Sequence, residues 1–88
     1  MPRDPILQEQ ARDAIRSGRL PSRHPDRTLG GPGSGEACAV CGERIRRHMT
    51  ELELEFTHDR AISEPDRFGL HHQCFAAWEI EREASPPA

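Results

Sequence analysis

Three cysteines and one histidine stand in this chain at spacings that suit a metal ion. Cys38 and Cys41 are three positions apart with Gly42 directly after them, and His71 and Cys74 are also three apart. Twenty-nine residues separate the two pairs, which use every cysteine of the chain. Structural zinc sites take four thiolate or imidazole ligands in a tetrahedron, and three cysteines with one histidine is a usual set. The spacing therefore predicts one Zn²⁺ bound by Cys38, Cys41, His71 and Cys74.

More than one histidine could supply the imidazole ligand. His71 matches the H-x2-C spacing, and His72 is the adjacent alternative. His58 follows a predicted strand and is a third alternative. His24 and His48 are expected to lie in solvent. The sequence favours His71 and leaves His72 and His58 open.

The alternative to a metal site is three free thiols, and the size of the chain argues against it. The chain has 88 residues, of which 34% are hydrophobic and 31% are charged. So short a chain buries little apolar surface, and small domains usually need disulfides, a metal or a partner subunit. Three cysteines cannot all pair within one chain. With no signal-peptide core and no bilayer-length apolar run, a cytoplasmic location is expected, where closely spaced cysteines more often bind metal.

One segment that must help to position the ligands alternates strictly between apolar and acidic residues. Over residues 50–57, leucine and phenylalanine side chains alternate with glutamates. This period of two is typical of a half-buried strand. It predicts that the glutamates face solvent and do no acid–base chemistry: Glu51, Glu53 and Glu55.

The rest of the expected metal-binding domain follows this strand. A turn at residues 63–66 leads to a returning strand at 67–70, and a helix over 72–84 carries the last ligand. The predicted fold class is α+β: a small zinc-stabilised domain with a zinc knuckle, a β-hairpin and a C-terminal helix. The predicted core comprises the apolar residues of these elements: Leu52, Leu54, Phe56, Phe68, Leu70, Phe75 and Trp78.

A further helix is predicted near the start of the chain, from Pro5 to Ser17. Asp4 is a suitable N-cap, Pro5 suits the first helical position, and Gly18 suits the C-terminal end. The apolar stripe of this helix is thin and needs a surface to lie against: Leu7, Ala11, Ala14 and Ile15.

Residues 21–35 are predicted to form a flexible linker, because they hold three prolines and four glycines without a hydrophobic period. The expected division is an N-terminal helix at 1–20, this Gly/Pro-rich linker, a zinc-binding domain at 36–84 and a tail at 85–88.

Two stretches of the chain resemble the zinc fingers of the poly(ADP-ribose) polymerase type, a treble-clef-like group. They are Cys38-Ala-Val-Cys41-Gly-Glu-Arg-Ile45 and His71-His-Gln-Cys74-Phe75-Ala-Ala-Trp78, and the resemblance covers residues 36–80. The chain is also similar to small uncharacterised bacterial zinc proteins with a three-cysteine, one-histidine site. The resemblance implies a CCHC-type ligand set at Cys38, Cys41, His71 and Cys74.

The charge balance departs from that of the family, whose fingers bind DNA with a basic surface. Residues 36–84 hold six arginines and eleven acidic residues, and nucleic-acid binding depends mainly on neutralising phosphates. We therefore predict a non-enzymatic structural-zinc module that mediates protein–protein interaction or regulation. The alternative is nucleic-acid binding by arginines of the N-terminal arm and the knuckle: Arg12, Arg16, Arg19, Arg23, Arg27, Arg44, Arg46 and Arg47.

Catalysis, a membrane partner and a small-molecule substrate are not expected. Four protein ligands fill the zinc coordination shell, and the glycines of residues 30–35 lack the Lys-Ser/Thr of a phosphate-binding loop. A second apolar strip on the last helix could dock a partner or pack on the N-terminal helix: Ala77, Ile80 and Ala84.

Overall fold

The computed structural model describes residues 4–57 and 64–84. The predicted α+β class is confirmed. The elements, in chain order, are α1 (Pro5–Arg16), β1 (Arg27–Pro32), β2 (Thr50–Phe56), β3 (Asp66–His71) and α2 (His72–Ala84). The expected tail at 85–88 and His58 are outside the described residues, as is the first residue of the predicted turn at 63–66, whose last residue already belongs to β3.

Helix α1 begins where its capping residues predict. The Asp4 carboxylate accepts hydrogen bonds from the amides of Ile6 and Leu7 at 2.9 and 3.3 Å, and Pro5 is the first helical residue. These bonds satisfy N–H groups that have no partner within the helix. The chain leaves the helix through Gly18, whose φ of 83° is in the left-handed region that favours glycine.

The sheet has three antiparallel strands in the order β1-β2-β3, so β2 is central. The predicted two-stranded hairpin therefore gains a strand, and that strand lies inside residues 21–35, which the sequence predicted to be a flexible linker. All six residues of β1 are exposed. Because β1 is held by main-chain pairing with β2 and buries no side chain, it leaves no hydrophobic period in the sequence.

The acidic face of β2 is only partly in solvent, which corrects the prediction for its glutamates. Glu55 is 6% exposed, because Arg27 and Arg67 lie directly opposite it on the two flanking strands. Arg67 Nε is 3.0 Å from Glu55 Oε2, and Arg27 Nη1 is 3.9 Å from Glu55 Oε1. Glu51 and Glu53 are half-buried. Cross-strand charge pairing thus covers a carboxylate that the alternating pattern assigned to solvent.

The core lies between the sheet and helix α2, which contacts β2 and β3. Leu54, Phe56, Leu70 and Trp78 are fully buried as predicted, and Phe68 and Phe75 pack on them half-buried. Leu52 is half-buried and lies outside this cluster. The core also takes in Ala11 and Ala14 from the predicted stripe of α1 and Ala77 from the second strip of α2. The sequence did not predict the burial of further core residues: Leu20, Val40 and Ile45.

Helix α1 packs against helix α2. Ala77, on α2, is 6% exposed, and Arg12 of α1 donates from Nε to Glu81 of α2 at 3.0 Å. Of the second apolar strip, Ala77 is buried, Ile80 is half-buried and Ala84 is exposed. The strip is therefore only partly free for docking a partner.

The turn after β1 depends on a glycine. A Cβ at Gly33 would overlap the backbone carbonyl of Arg46, whereas a Cβ at Gly31 would meet nothing within 4 Å. We expect Gly33→Ala to lower the free energy of unfolding by about 1–3 kcal/mol, as overpacking does. Gly31→Ala is the control, with a change within about 0.5 kcal/mol. Urea denaturation of the two metal-loaded variants measures the difference, and equal midpoints would contradict the close approach.

Candidate metal centre

The structure brings together the four residues that the sequence selected as ligands. One ligand atom from each of Cys38, Cys41, His71 and Cys74 lies within 4.8 Å of all the others. Cys41 Sγ is 3.4 Å and Cys74 Sγ is 3.9 Å from His71 Nδ1. Zn–S and Zn–N bonds of about 2.3 and 2.0 Å in a tetrahedron place a sulfur about 3.5 Å from a nitrogen. The spacing of these side chains therefore fits one tetrahedral metal ion.

A tight turn positions the first pair of cysteines. The Cys38 amide donates to the Glu43 carbonyl at 2.8 Å, and the Gly42 amide donates to the Cys38 carbonyl at 2.9 Å. Gly42 has a φ of 79°, a backbone conformation that residues other than glycine rarely adopt. This turn brings the Cys38 and Cys41 sulfurs to the same side, as the C-x2-C-G pattern predicts.

The second pair of ligands occupies the junction between β3 and α2. His71 is the last residue of the strand, and Cys74 lies in the first turn of the helix. The positive end of the helix dipole favours a thiolate at this position. The Ala39 amide donates to the Gly69 carbonyl at 2.9 Å, which ties the knuckle to β3. Two segments that are distant in sequence are thus held at one point.

The orientation of the His71 ring is set by a backbone carbonyl. His71 Nε2 is 3.2 Å from the Arg44 carbonyl oxygen, while Nδ1 faces the sulfurs of Cys41 and Cys74. When Nε2–H donates to this carbonyl, the Nδ1 lone pair is free to bind a cation. Metal-binding histidines commonly have such a partner for the second ring nitrogen. The sequence does not reveal this partner, because the accepting group belongs to the main chain.

Crowding of the three thiols drives their pKa values apart. The pKa of Cys38 falls to about 4, chiefly because the Cys74 thiol donates to its sulfur, with further donation from the amides of Cys41, His71 and Val40. Burial, followed by the nearby Cys38 charge, raises the pKa of Cys41. The pKa of Cys74 also rises, first because of its hydrogen bond with Cys38 and then because of burial. Ionisation of all three thiols together would therefore need a cation to neutralise their mutual repulsion.

The metal centre is closed on one side and open on the other. Cys38 and Cys74 are 3% and 2% exposed, while Cys41 and His71 are half-buried. A cleft of about 610 Å³ borders the group between the start of α1, the knuckle and the start of α2. A chelator can approach a bound ion from this side.

The other histidines that the structure describes stand apart from this group. His72 is the first residue of α2 and is exposed, as are His24 and His48. Within residues 4–57 and 64–84, the four-residue group is the only cluster of at least three His, Cys, Asp or Glu side chains that could hold a metal. Among the described histidines, His71 is thus the one whose position suits the expected ligand set.

Fold and site together define a small α+β domain with a Cys3His group positioned to bind a metal ion. The chain matches no protein-family model, no curated protein and no solved structure. In the part of the chain that the structure describes, neither helix has the length and apolar character needed to cross a bilayer.

Single alanine substitutions distinguish the two adjacent histidines. His71→Ala removes the imidazole that faces the sulfurs, so we expect the metal affinity to fall by more than about 100-fold. Loss of a residue that only hydrogen-bonds to a metal ligand typically costs less than this. His72→Ala is the matched control and should leave the affinity unchanged. Competition with a chromophoric chelator measures both affinities. A larger loss of metal affinity in His72→Ala than in His71→Ala would show that His72 is the fourth ligand.

Proposed function

We propose that this chain is a non-enzymatic module whose Cys3His group binds one structural Zn²⁺ and that it mediates protein–protein interaction. The observation that carries the zinc assignment is the set of three sulfurs and one imidazole nitrogen within 4.8 Å. Soft thiolates in a tetrahedral set with imidazole suit Zn²⁺ better than the hard cations that prefer oxygen.

The structural role of the ion rests on its coordination. Catalytic zinc keeps one position open for water or substrate, whereas the four protein ligands here would fill every tetrahedral position. The ion would join the knuckle to the β3–α2 junction and so close the fold around the sheet. A cytosolic location belongs to the same proposal, because a reducing compartment keeps the three thiols available to the metal.

Kinship with the poly(ADP-ribose) polymerase-type fingers is part of the proposal. The order of the ligands, the Phe75 that follows Cys74 and the downstream Trp78 support it. The DNA-binding activity of those fingers does not carry over with the ligands, because residues 36–84 are predominantly acidic.

A protein partner is favoured over nucleic acid by the pairing of the arginines. Carboxylates lie within 4 Å of four arginines of the proposed basic arm: Arg12, Arg19, Arg23 and Arg27. These pairs reduce the positive charge available to phosphates. Nucleic-acid binding is the alternative, and it would depend on Arg16 and the arginines after the knuckle: Arg44, Arg46 and Arg47.

Native mass spectrometry tests the metal assignment. The folded chain should carry one zinc ion, and cobalt substitution should give the intense absorption of tetrahedral thiolate coordination. A well-ordered chain whose mass is that of its amino acids alone would refute the assignment.

Affinity capture from native cells with and without nuclease tests the partner class. Capture that persists after nuclease supports a protein partner, and capture that nuclease abolishes supports the nucleic-acid alternative.

A further inference from the structure

The loop that follows the knuckle is held rigidly by its main chain. We call residues 44–48 the arginine loop. Ile45 is fully buried, and its N–H and C=O groups bond to residues 35–36 at 2.9 and 2.8 Å. The Met49 amide donates to the Arg46 carbonyl at 2.9 Å and closes the turn. The exposed side chains of this loop therefore extend from a preorganised backbone, which lowers the entropy cost of binding.

The arginine loop holds the largest group of unpaired positive charges in the described residues. Elsewhere, six arginines lie within 4 Å of a carboxylate: Arg12, Arg19, Arg23, Arg27, Arg67 and Arg82.

Within the loop, Arg44 donates to the Gly35 carbonyl at 3.0 Å. Among the residues that the structure places, no carboxylate forms an ion pair with Arg44, Arg46 or Arg47. In a chain with a net charge of −3, these three exposed arginines fall within four consecutive residues.

The chemistry around the loop limits the kind of anion that fits. Exposed Glu36 and Glu43 flank the loop, so the basic surface is short and an extended polyanion would meet like charge beside it. Proteins that bind single-stranded nucleic acid usually offer aromatic platforms to the bases. The four aromatic residues of this chain belong to the core or pack against it: Phe56, Phe68, Phe75 and Trp78.

We infer that the arginine loop docks a short acidic peptide segment of a partner protein. Arginine pairs with carboxylates through two parallel N–H···O bonds, so Arg46 and Arg47 would bind the side chains of successive acidic residues. This inference rests on the proposed protein-binding function and adds the chemistry of the partner.

The loop is also linked to the metal centre. The Arg44 carbonyl accepts from His71 Nε2 at 3.2 Å, so the ring that would bind the ion also holds the base of the arginine loop. The docking surface should therefore be fully formed in the metal-loaded protein, which is the form to test.

A fluorescein-labelled oligoglutamate peptide tests this inference by anisotropy, with a single-stranded oligonucleotide of equal charge as the second probe. The zinc-loaded chain should bind the peptide at low salt and release it as salt screens the charges. The double variant R46Q/R47Q should lose at least about tenfold in peptide affinity. R16Q is the matched control, because Arg16 is exposed and has no ion pair within the described residues but lies on α1. R16Q should bind like the unmodified chain.

Three results would overturn the inference. They are no peptide binding at low salt, an equal loss of affinity in R16Q and R46Q/R47Q, and tighter binding of the oligonucleotide than of the peptide. Zinc content and circular dichroism of the same samples separate this failure from that of the proposed function. If the chain is folded and zinc-loaded but does not bind the peptide, only the proposed docking surface is refuted. If the chain is folded without zinc, the proposed metal-binding module is refuted.

Discussion

Removal of the metal ion is expected to unfold the chain from Cys38 onward. Binding free energies for structural zinc in finger peptides are about 10–16 kcal/mol, comparable to the whole stability of a small domain. Without the ion, three adjacent sulfurs and an imidazole would lose the cation that joins the knuckle to the β3–α2 junction. Trp78 is the only tryptophan and is 0% exposed, so its emission should shift to longer wavelength when a chelator is added.

Zinc addition after chelation is the control for this experiment. It should restore both the Trp78 emission and the circular dichroism of the sheet and helices. The His72→Ala variant should respond to the chelator like the unmodified chain, since its ring lies outside the ligand group. If the metal-free chain keeps Trp78 buried and unfolds cooperatively, the apolar core is sufficient to fold the chain without the ion.

Truncation of Trp78 is expected to have the second largest effect. Its ring packs edge-on against Phe56 at 6.3 Å and tilted against Phe75 at 5.9 Å, and the Arg82 guanidinium lies over it at 5.3 Å. Its Nε1–H donates to the Pro21 carbonyl at 3.1 Å. We expect Trp78→Ala to lower the free energy of unfolding of the zinc-loaded chain by about 3–5 kcal/mol, the usual cost of removing a buried aromatic ring.

One further variant separates the hydrogen bond of Trp78 from its ring packing, and a second variant is a control. Trp78→Phe keeps an aromatic ring but leaves the Pro21 carbonyl without its donor, which should cost about 1–3 kcal/mol. Ile6→Ala removes an apolar side chain that is 69% exposed, and its effect should stay within about 0.5 kcal/mol. Urea denaturation followed by circular dichroism compares all three. A loss in Trp78→Ala no larger than in Ile6→Ala would contradict the central packing of this residue.

Local signals in the sequence were sufficient for much of the fold. Asp4 and Pro5 mark the start of α1, because capping depends on residues two or three positions apart. The alternation over residues 50–57 identifies β2, because a strand with one buried face repeats every two residues. The cysteine and histidine spacing selects the metal group, because each pair needs only one turn of backbone to bring its ligand atoms together.

Other features could not be predicted from local pattern. Strand β1 has no buried side chain, and its pairing with β2 depends on main-chain groups that every residue carries. Leu20 and Ile45 are apolar residues outside any hydrophobic period, so their burial depends on which elements pack over them. Glu55 is covered because Arg27 and Arg67 occupy the facing positions of two other strands.

The sequence by itself determined the kind of chemistry available, three thiols and an imidazole at spacings suited to one ion, and the identities of the helices and the central strand. Only the tertiary structure decided that the two halves of the ligand group meet, that a third strand completes the sheet and that α1 covers part of α2. The physical reason is one of range. Side-chain periodicity and capping act within a few residues, whereas convergence of distant ligands and cross-strand pairing depend on the path of the whole chain.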